Sequence, residues 1–241
     1  MSKVARSCRD GRNVLRVVLT RETGQNDALR AWIPSEASVV EIPLTTTSYA
    51  DRDVVAQSIR EASAQPCTTL VVTSARSAPY AALALNSLHP PVQVVSVGEA
   101  TTSALLAEGV TVAVTSQGGA LDLATSIVDG RVLLLGAHQQ REELPRLLAE
   151  RGIEVVKIVC YETRPLALTN DQIGEVRGAD VLLIGAPSAW EVVKDFVDDA
   201  TWVAVPGHTT SVEVRKVHQR VIEGWGPSLR ARLEVIQSRP R

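Results

Sequence analysis

The chain has 241 residues, 45% of them hydrophobic but only 3% aromatic, and a formal net charge of -2. This length suits one large domain or two ordinary ones, and a core built mainly from Val, Leu, Ile and Ala favours parallel sheets that are buried on both faces. Because the 25 basic residues are scattered and nearly balanced by 27 acidic ones, the charge does not favour a nucleic-acid partner.

The cysteines and the N-terminus restrict the class of protein further. Cys8, Cys67 and Cys160 are widely spaced and lack the paired spacing of a zinc site, so reduced thiols are expected. No apolar stretch reaches the length of a membrane span, and no apolar segment follows the basic N-terminus. We therefore expect a cytoplasmic monomer with no membrane partner and no metal, and a disordered tail over residues 1–13.

The first half of the chain alternates predicted strands and helices. A strand is predicted over Val14–Thr20, and a short helix follows it towards Trp32. Ser38–Leu44 is extended but has no helix directly after it, so we interpret it as a connector. Asp51–Ala64 has helical spacing, with an acidic residue at its start to favour the helix dipole. Four strand-then-helix units are predicted after it, over residues 70–88, 92–108, 110–128 and 132–151.

Glu154–Pro165 is a second extended run without a helix directly after it. Because two such runs flank a series of strand–helix units, we predict that Val39–Pro43 and Val155–Tyr161 pair as an antiparallel bridge. The predicted domains are residues 14–38 with 164–237, residues 44–154, and bridging strands at 39–43 and 155–163. The remaining predicted elements of the first domain are Gln172–Val176, Val181–Ile184, Ser188–Val197, Trp202–Val205, Thr209–Ile222 and a closing helix from Pro227.

One pattern occurs twice. Val94–Val110 is an apolar run, a Gly-containing turn and a helical pattern, and Trp202–Val217 repeats it. A second pair of strand-and-turn segments, from Leu70 and from Val181, precedes the two copies, so the chain resembles two related α/β halves. In the two matched turns, Gly207, Thr209 and Thr210 correspond to Gly98, Thr101 and Thr102.

These turns suggest a mode of binding. Helix N-termini with free N–H groups bind anions, and small side chains let a ligand approach the backbone. The alternative is ordinary capping, in which Thr101, Thr102 or Ser103 accepts from the first N–H groups of its helix. The nicotinamide, nucleotide, zinc-hydrolase and esterase motifs are absent, and the histidines are isolated from one another in sequence.

The chain resembles the uroporphyrinogen-III synthase family from about Val14 to Ile236. The resemblance rests on the order and spacing of segments and on no single motif. The segments are VVLTRETGQNDAL, VVEIPL, VVTSARSA, VSVGEATTSALLAEGV, GRVLLLGAHQQREELPRLLAERGIEVVKIVCYETRP, VLLIGAPSAW and VAVPGHTTSVEV. It implies two doubly wound parallel-sheet α/β domains, one inserted in the other, joined by a two-stranded β-ladder with the active site in the cleft. It also implies cyclisation of hydroxymethylbilane, a polycarboxylate, to uroporphyrinogen III with loss of water and inversion of the last pyrrole ring, without a cofactor or metal.

The resemblance also implies site residues. The family's functional tyrosine falls on Tyr161, which we expect to assist departure of the hydroxyl group, with packing at a domain boundary as the alternative. Arg21 and Arg76 lie just past strand ends, where they bind carboxylates or form surface salt bridges. The expected substrate-binding residues are Arg21, Ser74, Arg76, Thr101, Thr102, Ser188, Thr209 and Thr210.

Two turns depart from the family pattern. Ala186 stands where the family usually has Ser or Thr, and Gly136-Ala-His138 replaces a turn that often carries Arg. These departures leave a second hypothesis, a non-catalytic tetrapyrrole- or anion-binding regulatory homologue of the same fold. A periplasmic-type solute binder is a third hypothesis, which the N-terminal sequence disfavours.

Overall fold

The structure is a computed structural model that describes residues 14–88, 92–116 and 119–238; the predicted tail over residues 1–13, with Cys8, lies outside them. The strands in this part of the chain are β1 Arg16–Leu19, β2 Ser38–Glu41, β3 Thr45–Tyr49, β4 Thr69–Val72, β5 Gln93–Val97, β6 Val114–Ser116, β7 Arg131–Ala137, β8 Glu154–Pro165, β9 Val181–Leu183, β10 Trp202–Val205 and β11 Val221–Glu223. The α-helices are α1 Asp27–Arg30, α2 Arg52–Ala62, α3 Ala78–Ser87, α4 Gly98–Ala107, α5 Ala120–Thr125, α6 Glu143–Ala149, α7 Asn170–Arg177, α8 Pro187–Val193, α9 His208–Arg215 and α10 Pro227–Gln237. None of these helices combines the length and the apolar character needed to cross a bilayer.

The described chain divides into two compact units. The discontinuous unit contains the described residues up to Thr46 and those from Arg164 onwards, and the inserted unit is Thr47–Thr163. Each unit has its own sheet of mainly parallel strands, in the orders β11-β10-β9-β1-β2 and β3-β8-β7-β4-β5-β6. The expected mixed α/β class with two mainly parallel sheets is therefore confirmed.

The two sheets have the same spatial pattern of strands. In the discontinuous unit β9, β10 and β11 follow one another on one side of β1, and β2 lies on the other side. In the inserted unit β4, β5 and β6 occupy the places of β9, β10 and β11, while β7 and β8 occupy those of β1 and β2. The strands that carry the two matched sequence turns, β5 and β10, thus have equivalent positions in their sheets.

Both faces of each sheet are buried, which explains the runs of Val and Leu in the strands. Along β9 the residue Leu182 packs in one apolar cluster, while Val181 and Leu183 pack in another. In the inserted unit, Leu133 and Leu134 of β7 likewise belong to separate clusters. Successive residues of a strand point to opposite faces, so each sheet needs helices on both sides.

The predicted bridge between Val39–Pro43 and Val155–Tyr161 is wrong. Val39 lies in β2, which pairs in parallel with β1, and β8 pairs in parallel with β7 from Glu154 onwards. The partner of β8 on its other side is β3. Ala50 N donates to Cys160 O and Leu166 N donates to Leu44 O, both at 2.9 Å, so these two segments run in opposite directions.

Two further boundaries differ from the sequence-based expectation. The predicted element Thr209–Ile222 is in fact helix α9, which ends at Arg215, and a separate short strand, β11. The helix predicted from Asp51 begins at Arg52, and Asp51 is its N-cap, with a side chain that accepts from Asp53 N at 2.8 Å and Val54 N at 3.2 Å. The acidic residue therefore acts through direct hydrogen bonds as well as through the helix dipole.

Candidate functional site

In the inserted unit, candidate residues follow β4, at the point where the sheet order reverses. The chain leaves β4 for β5 on one side, whereas β7 lies on the other side, and ligands of open parallel sheets bind outside the strand ends at such a point. Ser74 and Arg76 lie directly after β4. Ser74 Oγ accepts from Arg76 N at 3.3 Å, so this hydroxyl caps the short 3-10 turn Ala75–Ser77.

Tyr161 lies on β8 and is 8% exposed. The guanidinium carbon of Arg76 is 5.7 Å from the centre of its ring, and the ring of Tyr49 on β3 is 6.4 Å away at a tilt of 49°. A backbone hydrogen bond ties this part of β8 to the residue that follows β7, because His138 N donates to Tyr161 O at 2.7 Å. The structure thus joins two predicted residues, Tyr161 and Arg76, to an aromatic residue that sequence reasoning missed.

The neighbouring thiol is not a competing nucleophile. Cys160 is fully buried, and desolvation raises the pKa of its thiol to about 11. A thiol with this pKa is protonated at neutral pH, and the protonated form is a poor nucleophile. Cys160 is therefore not a candidate catalytic residue.

The turn after β5 differs from the capping expectation. Helix α4 begins at Gly98 itself, with Val97 as an N-cap that has no side-chain acceptor, so Thr101, Thr102 and Ser103 lie inside the helix. The prediction that one of these three residues caps the helix is wrong, because the backbone enters the helix three residues earlier.

The two threonines of this turn have different surroundings. Thr101 is 5% exposed. Thr102 Oγ1 is 2.6 Å from Ser96 Oγ and 2.8 Å from Thr115 Oγ1, so its hydroxyl is engaged in a chain of side-chain hydrogen bonds.

In the discontinuous unit, three candidates lie in the turns after β9 and β10. Helix α9 begins at His208 after an N-cap, Gly207, that provides no side-chain acceptor, so its first N–H groups are not capped by a side chain. Thr209 is exposed in its first turn, whereas Thr210 is 4% exposed. Ser188 is exposed in the first turn of α8, which also has no side-chain cap.

Arg21 lies two residues beyond β1 and contacts Trp225, which lies two residues beyond β11. The guanidinium carbon of Arg21 is 6.0 Å from the centre of the indole ring. A Cβ built on Gly185, beyond β9, would lie 3.5 Å from Arg21 Cγ and 3.8 Å from the nearest Trp225 carbon. Trp225 is therefore a second aromatic residue at a strand end that sequence reasoning missed.

Features elsewhere in the structure do not suggest another site. A surface hollow of about 330 Å³ in the discontinuous unit is lined by Arg30, Ile33, Pro34, Ser35, Ala37 and Val39, none of which is a predicted site residue. Within the described ranges, no three His, Cys, Asp or Glu side chains are grouped as metal ligands would be. The strand ends remain the candidate site.

A family model described as HEM4, uroporphyrinogen-III synthase HemD, matches residues 34–223, which is well over half of the chain. The chain belongs to the uroporphyrinogen-III synthase family. The match includes the turns after β4, β5, β9 and β10 and also Tyr161, so membership does not depend on one half of the protein.

Solved structures have a similar fold. A mutant uroporphyrinogen III synthase from the extremely thermophilic bacterium Thermus thermophilus is 16% identical, with a TM-score of 0.68 over 93% of this chain and 98% of that one. The uroporphyrinogen-III synthetase of Helicobacter pylori is also 16% identical, with a TM-score of 0.58 over 92% and 99% of the two chains. No curated protein sequence matches this chain. At this identity the likeness concerns the fold alone.

The departures from the family pattern are located at strand ends. Ala186 is the N-cap of α8 in an extended conformation and leaves the first N–H groups without a side-chain acceptor. His138 is exposed after β7, where its backbone N–H donates to Tyr161 O. Neither departure removes a group on which the fold of its turn depends.

Proposed function

We propose that this protein is a uroporphyrinogen-III synthase, a carbon–oxygen lyase that cyclises hydroxymethylbilane to uroporphyrinogen III with loss of water and inversion of the last pyrrole ring. The observation that carries this proposal is the family match over residues 34–223. No specific feature of the described residues favours the non-catalytic homologue over the enzyme.

The protein's task in this reaction is mainly geometric. Loss of the hydroxyl group leaves an electrophilic azafulvene, and simple end-to-end closure would give the unrearranged ring. To obtain the inverted isomer, the protein holds the linear chain so that the substituted carbon of the last ring attacks first. The substrate carries several carboxylates, so binding by anion contacts at several points suits this task.

Tyr161 is the proposed catalytic residue. Its phenol O–H donates its proton to the departing hydroxyl group, which leaves as water when the carbon–oxygen bond breaks, and the proton that the pyrrole N–H loses as the azafulvene forms restores the phenol. The guanidinium of Arg76, 5.7 Å from the ring centre, places a positive charge beside this group, where a substrate carboxylate is attracted. Tyr49, 58% exposed, adds an aromatic surface next to it.

The proposed anion contacts combine side chains and backbone. Arg21 supplies a charge in the discontinuous unit, and the uncapped first turn of α9 supplies N–H groups beside Thr209 and Thr210. In the inserted unit, the first turn of α4 is also without a side-chain cap. Ser74, Thr101, Thr102 and Ser188 complete the proposed set of substrate contacts.

The decisive experiment is turnover of freshly generated hydroxymethylbilane, with isomer analysis of the oxidised product. We expect the type III isomer to appear faster than the unrearranged isomer that forms without enzyme. If the protein binds uroporphyrin but leaves the isomer ratio at the uncatalysed value, the regulatory homologue is the correct assignment.

The role of Tyr161 is tested by Tyr161→Phe, which keeps the ring and removes the hydroxyl. We expect kcat to fall more than about tenfold, which exceeds the effect of losing one ordinary hydrogen bond, while KM changes little. The control is Tyr80→Phe, because Tyr80 Oη donates to Ala50 O at 2.6 Å and so has a structural role in the same unit. Tyr80→Phe should reduce stability and preserve kcat. An unaltered rate for Tyr161→Phe would show that Tyr161 has a packing role only.

A further inference from the structure

The contact between Arg21 and Trp225 extends across the carboxyl edge of the discontinuous unit's sheet, the edge at which its parallel strands end. Arg21 follows β1 and Trp225 follows β11, and β9 and β10 lie between these two strands. Strands are spaced about 4.8 Å apart, so the two side chains together span about 14 Å. They therefore lie across the ends of β9 and β10, from which the turns with Ser188 and Thr210 start.

This position is also where the strand order of the sheet reverses. The chain passes from β1 to β2 on one side, and from β9 to β10 and β11 on the other. Ligands of open parallel sheets bind outside the strand ends at such a point. Arg21 lies two residues beyond β1 and Gly185 two residues beyond β9, and a Cβ built on Gly185 would lie 3.5 Å from Arg21 Cγ, so the two residues are neighbours at the reversal.

Arg21 makes no ion pair within the described ranges of the chain. Its side-chain hydrogen bond is a long one, 3.4 Å from its Nη2 to Gln25 Oε1, and its remaining contact is the indole face of Trp225. A cation over an aromatic ring is held in position while its hydrogen-bond donors stay available to an anion. This arrangement differs from that of Arg30, which donates twice to Glu41 and so already has an acidic partner.

The backbone on each side of Trp225 has a conformation that few residue types adopt. Gly224 has φ +94 and Gly226 has φ +105, in the region that favours glycine. Two such glycines set the direction in which the indole leaves the strand end. The indole Nε1 is buried and has no hydrogen-bond partner in the described structure, so the ring is held here despite the cost of an unpaired donor.

We propose that Trp225 is a positioning residue for substrate binding, which holds the Arg21 guanidinium at the carboxyl edge so that it receives a carboxylate of the substrate. This inference deepens the proposed function and rests on it for the identity of the substrate. Arg21 makes the contact with the anion, and Trp225 acts through Arg21.

The same sheet contains a matched control at its opposite edge. Arg220 lies over Trp202, with the guanidinium carbon 5.8 Å from the ring centre. Trp202 is the first residue of β10, and Arg220 precedes β11, so this pair lies at the edge where the strands begin. Arg220 also donates to Ala200 O at 2.9 Å. Trp202→Leu removes a similar contact without touching the proposed anion site.

The experiment measures the Kd of uroporphyrin III, a stable octacarboxylate probe, at low and moderate salt, and KM and kcat for hydroxymethylbilane. Trp225→Leu should raise Kd and KM about fivefold at low salt and leave kcat within about twofold, as expected for the loss of one partly exposed cation–π contact. Trp225→Phe, which keeps an aromatic face, should be close to wild type. Arg21→Gln should raise Kd at least as much as Trp225→Leu, and adding Trp225→Leu to it should change Kd little further.

The outcomes distinguish the inference from its alternatives. If Trp225→Leu leaves Kd and KM unchanged, or if the losses of the two single variants multiply in the double variant, the inference is overturned. It is also overturned if Trp202→Leu weakens binding as much, because the effect would then be one of general stability. Trp225→Met, whose longer unbranched side chain adapts to the space left by the indole, replaces Trp225→Leu if the latter does not fold.

Failure of the proposed function would look different. If the wild-type protein binds uroporphyrin III through Arg21 and Trp225 but forms no type III product, the inference stands and the assigned reaction is wrong. If the wild-type protein has full turnover and the Trp225→Leu variant binds uroporphyrin III normally, only the inference is wrong.

Discussion

The turns after β5 and β10 are alike in sequence and in position but not in backbone structure. Each follows a buried strand at the equivalent place in its sheet, and each begins a helix without a side-chain cap. In both, the threonine three residues after the glycine is nearly buried, Thr101 at 5% and Thr210 at 4% exposure. Gly98, however, has φ +72, whereas Gly207 is extended with φ -178.

The other threonine of each turn, Thr102 after β5 and Thr209 after β10, shows a second difference. Thr102 belongs to a hydrogen-bonded chain of hydroxyls with Ser96 and Thr115, which ties the first turn of α4 to the ends of β5 and β6. Thr209 is exposed in the first turn of α9, and no hydrogen bond of its side chain is found within the described residues. In the inserted unit, hydrogen bonds between hydroxyl groups therefore stabilise the turn. In the discontinuous unit, the corresponding turn leaves the Thr209 hydroxyl exposed at the surface.

The largest expected difference between the turns concerns these hydroxyls. Thr102→Val should lower the free energy of unfolding by about 1 to 3 kcal/mol, because it leaves the fully buried Ser96 hydroxyl without its partner. Thr209→Val, at an exposed position, should change it by less than about 0.5 kcal/mol. Urea unfolding of both variants measures the difference. Equal losses would show that the hydroxyl chain does not stabilise the turn.

The second difference concerns the glycines. Gly98→Ala should lower the free energy of unfolding by about 1 to 2 kcal/mol, because a side chain is unfavourable at φ +72 although the space around it is open. Gly207→Ala should be close to neutral, since its backbone is extended and a Cβ would meet no atom within 4 Å. Thermal unfolding of the two alanine variants provides the comparison. A neutral Gly98→Ala would mean that the turn after β5 relaxes to a conformation like that after β10.

These differences show where sequence reasoning stops. The glycine and threonine pattern predicts a strand, a turn and a helix. It does not show the backbone conformation of the turn, because glycine adopts both extended and left-handed conformations. The sequence also does not show which strands pair with each other. The sequence predicts that Val39–Pro43 bridges the domains, yet β2 pairs with β1, while Ile42 and Leu44 beyond it are buried in the core of the discontinuous unit.

The two missed strands, β3 and β11, gave no clear strand pattern in the sequence, each for a different reason. β3 reads TTTSY and is mostly exposed, so alternation of apolar residues did not identify it as the partner of β8. β11 has three residues and was joined to the preceding helix. Tyr49 and Trp225 belong to no motif, and only the folded chain brings them to Tyr161 and Arg21. The family pattern, in contrast, depends on residue order and was visible in the sequence.

The smallest expected difference lies between Thr101→Ala and Thr210→Ala, which should affect turnover about equally. If substrate carboxylates are held mainly by backbone N–H groups of the two helix starts, either change removes at most one or two hydrogen bonds. Each should lower kcat/KM by about tenfold, a loss of transition-state stabilisation of about 1 to 3 kcal/mol, and leave the isomer ratio in favour of type III.

The measurement is the initial rate and isomer ratio for both variants at matched folded concentration. Circular dichroism and urea unfolding serve as the check on folding, since both threonines are nearly buried and their replacement leaves small gaps. Complete loss of activity in one variant with retention in the other would assign chemistry to that hydroxyl. The likeness of the two turns would then extend to sequence and position but not to function, and the backbone would hold the substrate in one unit only.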